Sequence, residues 1–165
     1  MSYVTLERNS NADEGIKGSA EIFYTAAVIA TGGRSGQVQS SDRNLAVTLS
    51  VPRELGGNSV TGTNPEQLFA AAFASSFEDA LITSAKRLHI EVSEAFIQAR
   101  IGLGPLQKGT GGLTVALHIF LPGIDRNVVE TLVAQAESIC PYASATRGNI
   151  PVSFVIEEKA PLFQA

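Results

Sequence analysis

The chain has 165 residues, 44% hydrophobic and 17% charged, which fits one globular domain able to bury its own core and excludes a disordered chain. A net charge of −4 with twelve scattered Lys and Arg argues against a nucleic-acid or membrane-surface partner, because both select a clustered basic patch. A single cysteine, Cys140, rules out an internal disulfide and fits a reducing compartment; with no secretory pattern at the N-terminus, the expected location is the cytoplasm.

Residues 1–18 are polar and read as a loosely docked arm, residues 19–158 as the single domain, and residues 159–165 as a tail. Residues 21–31 (EIFYTAAVIAT) are rich in β-branched and aromatic side chains and predict a strand. It ends in a loop at 32–36, where glycines surround Arg34. Leu45, Val47, Leu49 and Val51 alternate on one face of a second strand that Pro52 stops. A Gly-, Asn- and Thr-rich loop then leads to the dominant feature, a helix over residues 64–88.

Asn64 suits the N-cap of that helix, Pro65 its first position and Glu66 its positive end. Residues 68–77 (LFAAAFASSF) carry no charge, so the helix is expected to be buried on all sides; the run is too short to cross a bilayer, which needs about 20 apolar residues. Period-two alternation returns through Ile97, Ala99, Ile101 and Leu103, and again through Leu113, Val115, Leu117 and Ile119. A turn at 107–112 makes these an antiparallel hairpin. Asp125 caps a second helix with an apolar stripe of Val128, Val129, Leu132, Val133, Ala136 and Ile139, closed by Pro141. Val152, Phe154 and Ile156 form a last strand. The order predicts an α+β fold of mainly antiparallel sheet around an apolar helix, which a second sheet or a second subunit must cover; a homodimer is expected.

Few residues could carry chemistry. Cys140 reads either as a small buried hydrophobe or, beside Pro141 in the run CPYASATRGN with Arg147 near, as a stabilised thiolate. Arg34 is either solvated or free to swing into a pocket and hold an oxyanion or thiolate. Glu66 is a capping residue that could also hold Arg34. Ser75 and Ser76 read as hydroxyls bonding a carbonyl one turn back. A serine-hydrolase reading lacks its G-x-S-x-G elbow; His118 reads as a polar-face strand residue and His89 as a helix-end residue. No His, Cys and carboxylate cluster has metal-ligand spacing.

The runs PRELGG at 52–57, GTNPEQLFAA at 62–71, LPGIDR at 121–126 and CPYASATRGN at 140–149, with TAAVIATGGRSG before them, resemble the organic hydroperoxide resistance (Ohr) proteins of the OsmC/Ohr family over residues 20–157. The resemblance implies two curved, mainly antiparallel sheets around long central helices in an intertwined homodimer with active sites at the subunit interface. It implies a thiol-dependent peroxidase acting on fatty-acid and other organic hydroperoxides, with no bound cofactor or metal. A dihydrolipoyl group, on a lipoylated protein or as dihydrolipoamide, would be the external reductant. The family's arginine falls on Arg34, the glutamate that orients it on Glu66, the resolving cysteine on Cys140, and pocket aromatics on Phe73 and Phe77.

The peroxidatic cysteine falls on Ser76, and Asp79 stands where the family has a small residue. The family reaction needs a thiolate, and position 76 lies about three turns past the N-cap, beyond the reach of the helix dipole. A local cation must therefore lower the thiol pKa from about 8.5, with Arg34 the candidate. A serine hydroxyl stays neutral and forms no sulfenate, so the chain as written is expected to be catalytically dead. An engineered Cys-to-Ser variant is the expected origin, since every other motif persists. The alternative is a naturally non-catalytic paralogue that binds or senses apolar hydroperoxides or fatty acids, which Asp79 favours.

Overall fold

The computed structural model describes residues 22–58, 61–105 and 111–160. The arm expected at 1–18, most of the turn at 107–112 and most of the tail at 159–165 lie outside them. The first sheet is an antiparallel meander of β1 (Val28–Thr31), β2 (Gln37–Ser40) and β3 (Ala46–Thr48). The strand expected over 21–31 pairs only from Val28, because its partner β2 ends there: Val28 faces Ser40, and the chain then turns. The Asp42 carboxylate pins that turn by accepting from Ser40 Oγ, Asn44 N and Asn44 Nδ2, which holds its carboxyl below the usual range. β1 is exposed along its length, and Phe23 and Tyr24 before it are 91% and 80% exposed.

The long helix α1 (Pro65–Arg87) begins as its sequence dictates. Asn64 Oδ1 accepts from Gln67 N at 2.8 Å, Pro65 takes the first position, and Leu88 caps the other end. It packs on β4 (Phe96–Pro105), α2 (Arg126–Ile139) and α3 (Pro141–Thr146). Phe73, Phe77, Ala80, Leu81, Ser84 and Ala85 face that core. The expectation of burial on all sides is overturned within one chain. Ala71, Ser75 and Asp79, spaced by four, form an exposed stripe, because the elements that cover α1 lie on its other side.

The second sheet holds β4, β5 (Gly111–Phe120) and β6 (Val152–Ile156) in the order β4-β5-β6. The β4–β5 hairpin is antiparallel with Gln98 opposite His118, as its alternation required. β6 instead joins β5 in parallel, Leu117 opposite Phe154, because α2 and α3 carry the chain back across the sheet between them. Val115, Leu117 and Ile119 turn their side chains into the core with Leu132 and Ala136 of α2. Full burial of each large apolar side chain such as Leu117 or Leu132 contributes about 1.5–3 kcal/mol.

The run at 140–149, beyond the point where Pro141 closes α2, contains α3. Pro141 ends α2 and opens α3, since its missing N–H is harmless at a first helical position.

Candidate active site

Two pairs of side chains stand out, and one long helix contributes to both. In the first, Ser76 Oγ of α1 lies 3.7 Å from Cys140 Sγ at the junction of α2 and α3. Cys140 is fully buried, with its N–H donating to Ala136 O at 2.8 Å. Ser76 is half-buried. Phe69, Phe73 and Tyr142 pack on one another with ring centroids 5.8–6.3 Å apart, and Phe77 packs on Phe154 at 5.3 Å. Phe73, Phe77 and Cys140 belong to one core cluster, against which Phe69, Tyr142 and Phe154 pack.

The second pair is Arg34 and Glu66. Arg34 Nη1 donates to Glu66 Oε2 at 2.9 Å and Nη2 to Oε1 at 2.6 Å, a bidentate link. The glycine loop makes the reach possible. Gly32 and Gly33 adopt φ of +75° and +60°, and a Cβ at Gly36 would fall 1.7 Å from Thr31 O. The hydrogen bonds to Arg34 hold the Glu66 carboxyl below its ordinary range, against the opposing effect of desolvation. The bond to Glu66 raises Arg34 in turn. Arg34 keeps 42% of its side chain exposed while Glu66 keeps 16%.

The two pairs are not one cluster within the chain. Glu66 and Ser76 are ten residues apart on α1, about 15 Å at 1.5 Å per residue.

The other residues singled out by the sequence sort cleanly. Ser75 Oγ donates to Ala71 O at 2.8 Å, the local bond expected of a helical serine. Phe73 and Phe77 are fully buried members of the core cluster. Asp79 points to solvent. Arg147, near Cys140 in sequence, turns its Nη2 to the main chain and donates to Glu137 O at 3.1 Å. Sequence reasoning missed Phe69 and Tyr142, for which the i, i+4 spacing to Phe73 and the adjacency to Cys140 were available signals. It also missed the contact of His118 Nδ1 with Glu157 Oε1, at 2.5 Å, for which a separation of 39 residues leaves no local sign. Among the described residues no group of three His, Cys, Asp or Glu could hold a metal, and no helix is long and apolar enough to cross a membrane.

A family model described as "OsmC-like protein" matches residues 56–155. The chain is 44% identical to the organic hydroperoxide resistance protein of Xanthomonas axonopodis pv. citri, over 82% of this chain and 96% of that one. It is 38% identical to the organic hydroperoxide resistance protein OhrA of Bacillus subtilis, over 82% and 97% of the two chains. The crystal structure of an organic hydroperoxide resistance protein from Legionella pneumophila matches with a TM-score of 0.79 at 39% identity, covering 83% of this chain and 99% of that one. A putative organic hydroperoxide resistance protein from Vibrio cholerae, with captopril bound in one of its active sites, matches with a TM-score of 0.80 at 35% identity, covering 87% and 99%. Matched by the family model over more than half its length and by these relatives over nearly all of theirs, the chain belongs to the OsmC/Ohr family.

Proposed function

We propose that the chain is an organic hydroperoxide resistance protein whose reducing chemistry requires sulfur at position 76, and that serine there leaves it without turnover. The observation that carries this reading is the 3.7 Å approach of Ser76 Oγ to Cys140 Sγ, from residues 64 positions apart. With cysteine at 76, a thiolate would attack one peroxide oxygen and the O–O bond would break. The alkoxide would leave as an alcohol after taking a proton, and the sulfur would become a sulfenic acid. Cys140 would displace water from it to form a disulfide, and an external dithiol of the dihydrolipoyl type would reduce that disulfide by exchange. Serine supplies none of these steps, because its hydroxyl stays protonated and oxygen is not oxidised in this way.

In a homodimer with its active sites at the subunit interface, as in the family the chain resembles, Arg34 held by Glu66 is the cation that would keep the partner's thiol at position 76 ionised and hold the peroxide. The buried rings of Phe73 and Phe77 would back an apolar substrate pocket. A homodimer is part of the reading, supported by the exposed stripe of α1 and the exposed apolar residues that lead into β1.

The test is Ser76→Cys. The variant is expected to consume cumene hydroperoxide with dihydrolipoamide as reductant, while the chain with Ser76 consumes none. A folded Ser76→Cys protein with no activity overturns the reading. A second reading, a non-catalytic binder of apolar hydroperoxides or fatty acids, is favoured by the oxygen at Ser76 and the carboxylate of Asp79. Native mass spectrometry of the purified chain should then show a co-purifying lipid, and an empty protein with no fatty-acid affinity removes it.

A further inference from the structure

Several carboxylates of the chain are engaged: Glu66 holds Arg34, Asp125 caps α2 and Glu157 meets His118. Asp79 is exposed and, among the described residues, has no hydrogen-bond or ion-pair partner. It lies three residues beyond Ser76 on α1, and residues three apart on a helix are neighbours with Cβ atoms about 5–6 Å apart. No cation of α1 offsets it, since Lys86 is seven residues further on, about 10 Å along the axis. Glu78 sits about 200° around the helix from Ser76, on the opposite side.

Among the described residues, the elements packed on α1 bring no counter-charge to it. α2 and β4 meet the core with apolar side chains such as Leu132, Ala136 and Ala99. Arg126 of α2 pairs with Glu130, and Arg100 of β4 lies on the outer face of its sheet, donating to Gln98. At the junction of α2 and α3 the titratable groups on this side are the Cys140 thiol, 3.7 Å from Ser76 Oγ, and the Tyr142 phenol beside Phe69 and Phe73. Arg147 donates to Glu137 O. An uncompensated carboxylate about 6 Å from a thiol, in a solvated setting, moves the thiol's ionisation up by about half to one pH unit. The thiolate fraction near neutral pH then falls about threefold to tenfold.

We propose that Asp79 is a second determinant of the missing turnover: its carboxylate opposes ionisation of sulfur at position 76, so two substitutions separate this chain from full peroxide-reducing activity. The inference rests on the reading that sulfur at position 76 is the reacting group, and adds the charge that governs how nucleophilic that sulfur can be. Asp79 acts only through its neighbour and takes no part in the bond changes. An arginine brought to position 76 works against this carboxylate.

The rate of alkylation at position 76 tests this without turnover. In a Cys140→Ser background, Ser76→Cys leaves a single sulfur, whose reaction with iodoacetamide is followed from neutral to alkaline pH. Adding Asp79→Asn should lower the midpoint by about half to one pH unit and raise the rate near neutral pH about threefold to tenfold. Asp79→Glu, which keeps the charge, should leave the midpoint near that of Asp79. High salt should shrink the gap between the charged and neutral variants, because the field of an exposed charge is screened whereas a change of packing is not. Asp79→Ser carries the same test if Asp79→Asn does not fold. A midpoint that loss of the charge leaves in place, or a gap indifferent to salt, overturns the proposal. With Cys140 present, Ser76→Cys/Asp79→Asn should consume cumene hydroperoxide faster than Ser76→Cys by the same factor near neutral pH, and the two rates should converge at alkaline pH. A moved midpoint in a protein that never consumes peroxide would instead sink the peroxidase reading and leave the role of Asp79 standing.

Discussion

Arg34 and Glu66 are joined by two parallel hydrogen bonds across 32 residues of sequence, at 2.9 and 2.6 Å. The link gives the glycine loop a fixed address on the first turn of α1, where the helix dipole also favours the carboxylate. Because the bonds favour the ionised form of Glu66, the loop is pH-sensitive with a definite sign. The folded carboxyl titrates below its usual range, so the stabilisation is present above the unfolded value, near 4.5, and is lost as pH falls through the folded value. An NMR titration of the Glu66 side-chain carboxyl carbon should give a midpoint below 4.5. Arg34→Ala should move it upward. A midpoint indifferent to that substitution would mean that the pair is not formed in solution.

Sulfur at position 76 should do more than restore chemistry. Ser76 and Cys140 are 64 residues apart in sequence and 3.7 Å apart in space, so a disulfide between them would close a long loop. The loop-entropy argument gives about 4 kcal/mol of stabilisation for oxidised Ser76→Cys over its reduced form. Denaturant unfolding with and without reductant measures the difference. A gain below about 1 kcal/mol would indicate that the two Cβ atoms cannot adopt disulfide geometry without strain.

The Cys140 thiol of the chain as it stands should be inert. It is fully buried, and Arg147 is engaged with a main-chain carbonyl. A small disulfide reagent should label it only as fast as the fold opens, with complete reaction in denaturant. Labelling of the native protein at the rate of a free thiol would contradict the burial.

The aromatic packing under the candidate site is also a stability element. Phe77→Ala removes a ring with no solvent exposure that sits against Phe154, and should cost about 3–5 kcal/mol. Asn64→Ala, which removes only the bond from Gln67 N at the start of α1, should cost about 1 kcal/mol. Chemical denaturation of the two variants should rank them in that order.

Much of this was legible in the sequence where local chemistry decides the outcome. Asn64-Pro65-Glu66 names the start of α1, the alternation around residues 97–103 and 113–119 names the hairpin, and Asp125 marks α2. What was not legible depends on partners far along the chain. The β1 strand is shorter than its β-rich composition suggests because β2 runs out of residues to pair with. β6 alternates like an antiparallel strand yet lies parallel, a choice made by α2 and α3 and not by its own side chains. In the site, Arg34 and Glu66 could be paired on paper, because a glycine-flanked cation invites an anion. The span that separates them from Ser76 was already legible in the helix expected over 64–88, whereas the 3.7 Å approach of Ser76 to Cys140 depends on how α1 packs against α2 and α3.

The parallel seating of β6 also bears on the order in which the molecule assembles. The β4–β5 hairpin closes over a short connection, whereas Val115 must wait for Val152, beyond two helices, before its strand gains a second neighbour. Until residues 152–156 have left the ribosome, one edge of β5 offers an open ladder beside Leu117 and Ile119, and Phe77 lacks the ring of Phe154. A nascent or truncated chain ending before β6 should therefore be the form most exposed to aggregation.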